Sequence, residues 1–199
     1  MTGHYVALEG PEGAGKSTVR SLLAAALRAE GHDVVEVREP GGTAAGEGIR
    51  RVLLDPEGAV APWTEALLFA AARAQLAAEV IAPALARGAW VIGDRSVYSS
   101  LAYQGAARRL GVEGVRAVNE AGLEGVWPDK VVLLRIDASE GLRRQEDEDR
   151  IGAEAIEFHV AVVAAYDDLA AAEPDRFVVV DASGDVDTVV AAAYQGVTS

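Results

Sequence analysis

The sequence predicts a parallel α/β sheet with helices on both faces, and three observations carry that prediction. Five short apolar runs rich in β-branched residues recur along 199 residues, stretches of helical periodicity separate them, and a glycine-rich turn directly follows the first run. Parallel strands are buried on both faces, so they read as continuous apolar runs rather than alternating ones, and joining them requires a crossover, usually a helix.

The predicted strands are Tyr5 to Leu8, Val34 to Val37, Trp90 to Ile92, Val131 to Ile136 and Phe177 to Val180. Helical spacing predicts helices over Ser17 to Ala29, Thr64 to Arg87, Val112 to Gly122, Ala153 to Ala172 and Val186 to Ala193. Pro40-Gly41-Gly42 reads as a loop and Glu146 to Asp149 as a charge block, and neither is long enough to separate domains. One domain spanning 1–199 is therefore expected, with ligands beyond the carboxyl ends of the strands.

Composition removes several function classes. No cysteine is present, which excludes disulfides, thiolate zinc sites and a cysteine nucleophile and makes a cytoplasmic location the expectation. Met1-Thr2-Gly3-His4 lacks a secretory pattern, and no apolar run reaches the roughly 18–20 residues of a membrane span, so no membrane partner is expected. A formal charge of −13, from 31 acidic and 18 basic residues, opposes nucleic-acid binding and requires any phosphate ligand to be held locally. His4, His32 and His159 are isolated from one another, which argues against a triad or metal cluster.

Directly after the first predicted strand, Gly10-Pro11-Glu12-Gly13-Ala14-Gly15-Lys16-Ser17 fits the phosphate-loop pattern G-x-x-x-x-G-K-[ST] and opens a helix. The glycines let backbone amides turn onto donor phosphates, Lys16 reaches the β- and γ-phosphates of ATP, and the Ser17 hydroxyl can ligand Mg²⁺ at the helix N-terminus. The third strand ends in Asp94-Arg95. Asp94 is the candidate second metal ligand, and Arg95 can fork onto phosphate oxygens.

The segments Glu9 to Thr18, Arg38 to Thr43, Gly46 to Arg50, Glu65 to Gln75, Asp94-Arg95, Ser99 to Gly105 and Asp149 to Ile151 resemble, in order, those of the bacterial thymidylate kinases. That resemblance implies a P-loop fold like that of nucleoside monophosphate kinases, with a five-stranded sheet, a short lid and a homodimer. It implies that Phe69 stacks on thymine and Arg73 donates to a base carbonyl; their i, i+4 spacing puts both on one helix face. It further implies that Ser100 and Gln104 read the base edge, that Tyr103 leaves no room for a ribose 2′-hydroxyl, that Arg50 and Arg95 grip the acceptor phosphate, and that Glu12 lies near the sugar 3′-hydroxyl. The donor loop, with Gly10, Gly13, Ala14, Gly15, Lys16, Ser17 and Thr18, would hold ATP.

Phosphoryl transfer needs positive charge on the migrating group. Ala14 and its neighbours supply no arginine, so the lid, 141–152, is expected to provide it. Arg143 and Arg144 are expected at ATP, and Arg150 best matches the lid's Asp-Arg motif as the catalytic arginine. The run Glu146 to Asp149 could pair with these arginines in an open lid. Ala72, Ser96, Gly152 and Ala165 depart from the family pattern, and the first two leave dUMP or a modified pyrimidine deoxynucleotide open as acceptor. A deoxynucleoside kinase would leave Arg50 without a phosphate, and a non-catalytic regulator would not need Lys16, Ser17, Asp94 and Arg95 together.

Overall fold

The structure is a computed structural model and describes residues 3–145 and 149–199. Five parallel strands form one sheet in the order β2-β3-β1-β4-β5: β1 (His4–Glu9), β2 (Val34–Arg38), β3 (Trp90–Asp94), β4 (Lys130–Arg135) and β5 (Phe177–Asp181). The order reverses at β1, so the loops leaving β1 and β3 flank the crevice where such sheets bind ligands. Register aligns Leu8 with Asp94 and Arg38 with Asp94, which places the ends of β1, β2 and β3 side by side.

The period-2 alternation of each strand divides the core. On one face Val6, Leu8, Ile92, Val132 and Leu134 pack with Val19, Leu23 and Leu27 of α1 (Lys16–Ala29) and with Val189 and Ala193 of α9 (Val186–Thr198). On the other, Val131 and Leu133 meet Tyr98, Leu101, Val115, Val162 and Tyr166. These last come from α5 (Val97–Ser100) and the π-helical stretch Leu101–Ala107 that continues it, from α6 (Val112–Leu123) and from α8 (Ile156–Ala172).

Three elements were not foreseen from the sequence. Helix α2 (Ala44–Leu54) carries Gly46 and Gly48, each of which weakens helical propensity by about 1 kcal/mol relative to alanine. It forms because Thr43 caps it, accepting from the Gly46 amide at 3.0 Å. Helix α7 (Ala138–Arg144) is short and begins at Asp137, whose carboxylate accepts from the Ser139 and Glu140 amides. The stretch Val97–Ala107 lacks a helical apolar stripe because nearly all of it is buried.

The predicted long helix is continuous over Pro62–Ala86, as α3 (Pro62–Leu76), a π turn (Ala77–Ile81) and α4 (Ala82–Ala86). The π turn precedes Pro83, whose missing N–H and bulky ring an α-helical ladder would not accommodate. Contrary to the sequence expectation, this helix is by length and composition alone long and apolar enough to cross a membrane. Two of its three charged residues, Glu65 and Arg73, are however 1% and 2% exposed and paired inside the fold.

Candidate active site

The phosphate loop joins β1 to α1. Gly10 and Gly13 adopt φ of 143° and 66°, and the Gly141 backbone lies so close to Gly13 that a Cβ there would collide with its carbonyl. The first lid helix, α7, thus rests directly on the loop. Lys16 is buried and donates to the carbonyl oxygens of Gly10 (3.1 Å) and Pro11 (2.7 Å). Burial, then the nearby Arg95 guanidinium, lower its pKa from 10.5 to about 8 against the opposing pull of Glu12 and Asp94.

Ser17 Oγ donates to Asp94 Oδ2 at 2.5 Å, across the β1–β3 register that brings the two strand ends together. Two hard oxygen donors, with room for water and phosphate oxygens, fit Mg²⁺ better than a softer metal. Among the described residues no group of three or more His, Asp or Glu side chains forms an alternative metal cluster.

Arg95 sits at a positive φ of 69°, an uncommon conformation for a residue with a side chain, and its side chain reaches the loop. Its guanidinium donates to Glu12 Oε1 (2.6 Å), the Tyr103 hydroxyl (3.2 Å), Ser99 Oγ (3.3 Å) and the Gly10 carbonyl (3.4 Å). Tyr103 also donates to Glu12 Oε1 at 3.1 Å. Burial pushes the Glu12 pKa up, but Arg95, Lys16 and the Tyr103 hydroxyl outweigh it and hold the carboxylate down at about 2.

A cavity of about 590 Å³ runs from this loop to Phe69, Arg73, Ser100, Tyr103 and Gln104. Seven basic side chains against four acidic ones line it, so the pocket is cationic inside an anionic protein. Arg50 lines it as expected, with one guanidinium nitrogen on the Pro40 carbonyl at 2.9 Å; the Glu39–Pro40 peptide bond is cis. Arg73 is buried and bridges Glu39 Oε2 (2.6 Å), the Ser96 carbonyl (3.1 Å) and Asn119 Oδ1. Burial raises the Glu39 pKa to about 7 despite Arg73.

The lid arginines separate. Arg144 lines the cavity while donating to Glu140 Oε1 (2.9 Å) and the Ala182 carbonyl (2.9 Å), whereas Arg143 is mostly exposed and pairs with Glu140. Arg150 is not brought to the donor end: it donates to the Leu53 carbonyl (2.8 Å) and Glu65 Oε2 (2.7 Å). In this structure Arg150 of the lid's Asp-Arg motif, expected as the catalytic arginine, ties the far end of the lid to α2 and α3. Of the acidic run, 146–148 lies outside the described residues, and Asp149 accepts from the Ile151 and Gly152 amides at 2.9 Å.

Sequence reasoning gave no role to Glu9, Glu39, Glu65 and Asn119. Glu9 is fully buried and accepts from Ser96 Oγ (2.7 Å), Ser99 Oγ (2.6 Å) and Tyr166 (2.7 Å). Ser96, one of the departures from the family pattern, is thus a hydrogen-bond donor to this buried carboxylate. The available signal was a charged residue at the end of an apolar strand, which needs a buried partner.

Two nucleotides placed end to end, phosphates meeting at the loop, suit a cavity of this form, and the fold and site are together those of a P-loop nucleoside monophosphate kinase. Comparison with known proteins narrows the class. The thymidylate kinase family profile matches residues 8–193. A thymidylate kinase of Deinococcus radiodurans is 45% identical, covering 98% of this chain and 97% of its own length. That of Caldanaerobacter subterraneus subsp. tengcongensis is 44% identical over 94% and 90%. The crystal structure of thymidylate kinase from Ehrlichia chaffeensis superposes with a TM-score of 0.83 at 27% identity over the whole of both chains. The chain belongs to the thymidylate kinase family.

Proposed function

We propose that this chain, as a single catalytic domain, transfers the γ-phosphoryl group of ATP to dTMP, giving ADP and dTDP. The observation that carries this reading is the single cavity with Lys16, Ser17 and Asp94 at one end and Phe69, Arg73 and Gln104 at the other. An oxygen of the dTMP phosphate attacks the γ-phosphorus, and the bond to the β–γ bridging oxygen breaks with its electron pair leaving on ADP. No protein nucleophile is needed; positioning and charge supply the catalysis.

Each residue then has a task. Lys16 exchanges its two carbonyl partners for the β- and γ-phosphate oxygens, while the amides of Gly13 to Thr18 cradle them. Ser17 and Asp94 would hold Mg²⁺, which would neutralise phosphate charge. Arg95 and Arg50 grip the acceptor phosphate, and Glu12, kept ionised, orients Arg95 and accepts from the sugar 3′-hydroxyl. Phe69 supplies the stacking face and Arg73 a donor to the base, and Tyr103 closes the sugar pocket. Arg144 is the lid cation best placed to meet the donor phosphates, with Arg143 beside it; Arg150 would have to leave Glu65 and Leu53 to act there.

Exposed Val52, Trp63 and Leu67 on neighbouring helices α2 and α3 support a homodimer, and the cysteine-free composition supports a cytoplasmic role in dTTP supply. The test is ADP release from MgATP with dTMP, dUMP, dCMP, dGMP, UMP and thymidine as acceptors. Preference for dTMP is expected; turnover with thymidine but not with dTMP would overturn the reading.

A further inference from the structure

We propose that Glu65 is a specificity-determining positioning residue, whose carboxylate holds the Gln104 amide with its carbonyl oxygen turned to the base so that the pocket admits pyrimidines carrying a hydrogen on N3 and rejects cytosine. The inference rests on the reading of the cavity as a deoxypyrimidine site and asks which bases that site will accept.

Glu65 is 1% exposed and lies on α3, one helical turn before Phe69. Its Oε1 accepts from Gln104 Nε2 at 2.8 Å. An amide side chain can present either end, and the two look alike until a partner chooses between them. An ionised carboxylate only accepts, so it selects the –NH₂ end and turns the carbonyl end away from itself. Gln104 lines the cavity beside Phe69 and Arg73, and among the described residues its Oε1 accepts no hydrogen bond. The group left for the base is therefore an acceptor.

That choice holds only while Glu65 stays charged. Arg150 donates to its Oε2 at 2.7 Å and Arg108 reaches both oxygens at 3.3 Å. Burial alone would favour the protonated acid, but the bonds from Gln104, Arg150 and Arg108 outweigh it and keep the carboxyl below its ordinary pKa. Thymine and uracil offer N3–H to such an acceptor and O4 to a donor such as Arg73. Cytosine offers a lone pair at N3 and an amino group at C4, so acceptor faces acceptor and donor faces donor. A buried mismatch of this kind discriminates strongly because polar groups lose water without gaining a partner.

The test is Glu65→Gln, which keeps shape but lets residue 65 either donate or accept, so that Gln104 is free to turn over. Turnover with MgATP and equilibrium binding by calorimetry are both measured for dTMP, dUMP and dCMP. The dTMP-to-dCMP preference is expected to fall by roughly tenfold or more, while the dTMP-to-dUMP ratio stays unchanged because both bases carry N3–H. Losses shared equally by all three nucleotides, with the preference intact, would overturn the proposal and leave Glu65 a structural anchor. The binding ratios judge it even if the parent protein transfers no phosphate to dTMP, an outcome that would instead refute the kinase reading. Should the variant not fold, NMR of the parent decides. The Gln104 side-chain NH₂ should exchange slowly and keep its shift on dTMP binding, and a large shift of that group on binding would refute the orientation.

Discussion

Replacing Arg73 with methionine should make the stability of this protein depend on pH in a way that the parent does not. The guanidinium and Glu39 are 2% and 4% exposed at their side chains, so the substitution leaves a buried carboxylate without its counter-ion. In the parent, burial has already raised Glu39 from its ordinary 4.5 to about 7, so the folded form binds this proton more tightly than the unfolded chain. Stability from this group is therefore fully present below pH about 4.5 and declines as pH rises. In the parent the decline ends near 7, where folded Glu39 ionises beside Arg73. Without Arg73 it continues, because the isolated carboxyl must stay protonated. The gap between variant and parent should thus widen by about 1.4 kcal/mol per pH unit above 7, or about 2 kcal/mol by pH 8.5. It adds to a pH-independent loss of about 1–3 kcal/mol from the orphaned Asn119 and Ser96 acceptors. Urea unfolding followed by circular dichroism at about pH 5.5, 7 and 8.5 measures it. A gap that stays constant across that range would refute the argument, since it would mean that Glu39 keeps its charge with or without its partner.

Three further outcomes follow from the site. With Lys16 at about 8, kcat/KM for ATP should fall as pH rises through that value, since the free enzyme loses the charge that meets the donor phosphates; a flat profile to pH 9.5 would refute it. Arg144→Ala should lower kcat by roughly tenfold or more, whereas Arg150→Ala should act mainly on thermal stability and dTMP affinity by freeing Glu65; single-turnover rates for both variants separate the two, and the reverse ranking would restore Arg150 as the transferring cation. Gly13→Ala should abolish ATP binding or destabilise the fold by about 2 kcal/mol or more, because the new methyl meets the Gly141 backbone; unchanged calorimetric affinity and melting temperature would show that lid and loop are not in contact.

What the sequence disclosed is what depends on neighbours along the chain. The phosphate loop is a local arrangement of eight residues, and strand runs such as Val131 to Ile136 are local too; both appear as expected to within a residue or two. Asp94 and Ser17 could be paired in advance because parallel sheets put ligand groups at strand ends. Glu65, Glu39 and Asn119 were silent because their meaning lies in partners up to 85 positions away, as in Arg150 with Glu65. Helix α2 was hidden by two glycines that only tertiary packing tolerates. Arg150 shows the complementary limit: a motif suggests a charge but not the partners it meets, here Glu65 and the Leu53 carbonyl.

The π-helical stretch Leu101–Ala107 has a bearing on how this chain can change length over evolution. It places Tyr103 and Gln104 on the cavity that Ser99 and Ser100 of α5 also line, and its wide turn offsets every side chain after it relative to a regular helix. A wide turn of this kind is an α-helix with one residue too many. Losing any single residue between 101 and 107 would let the regular helix re-form and swing every later side chain of that segment around its axis. Insertions and deletions among relatives should therefore gather in surface turns such as 55–60 and avoid these seven positions, even though no residue among them donates to phosphate.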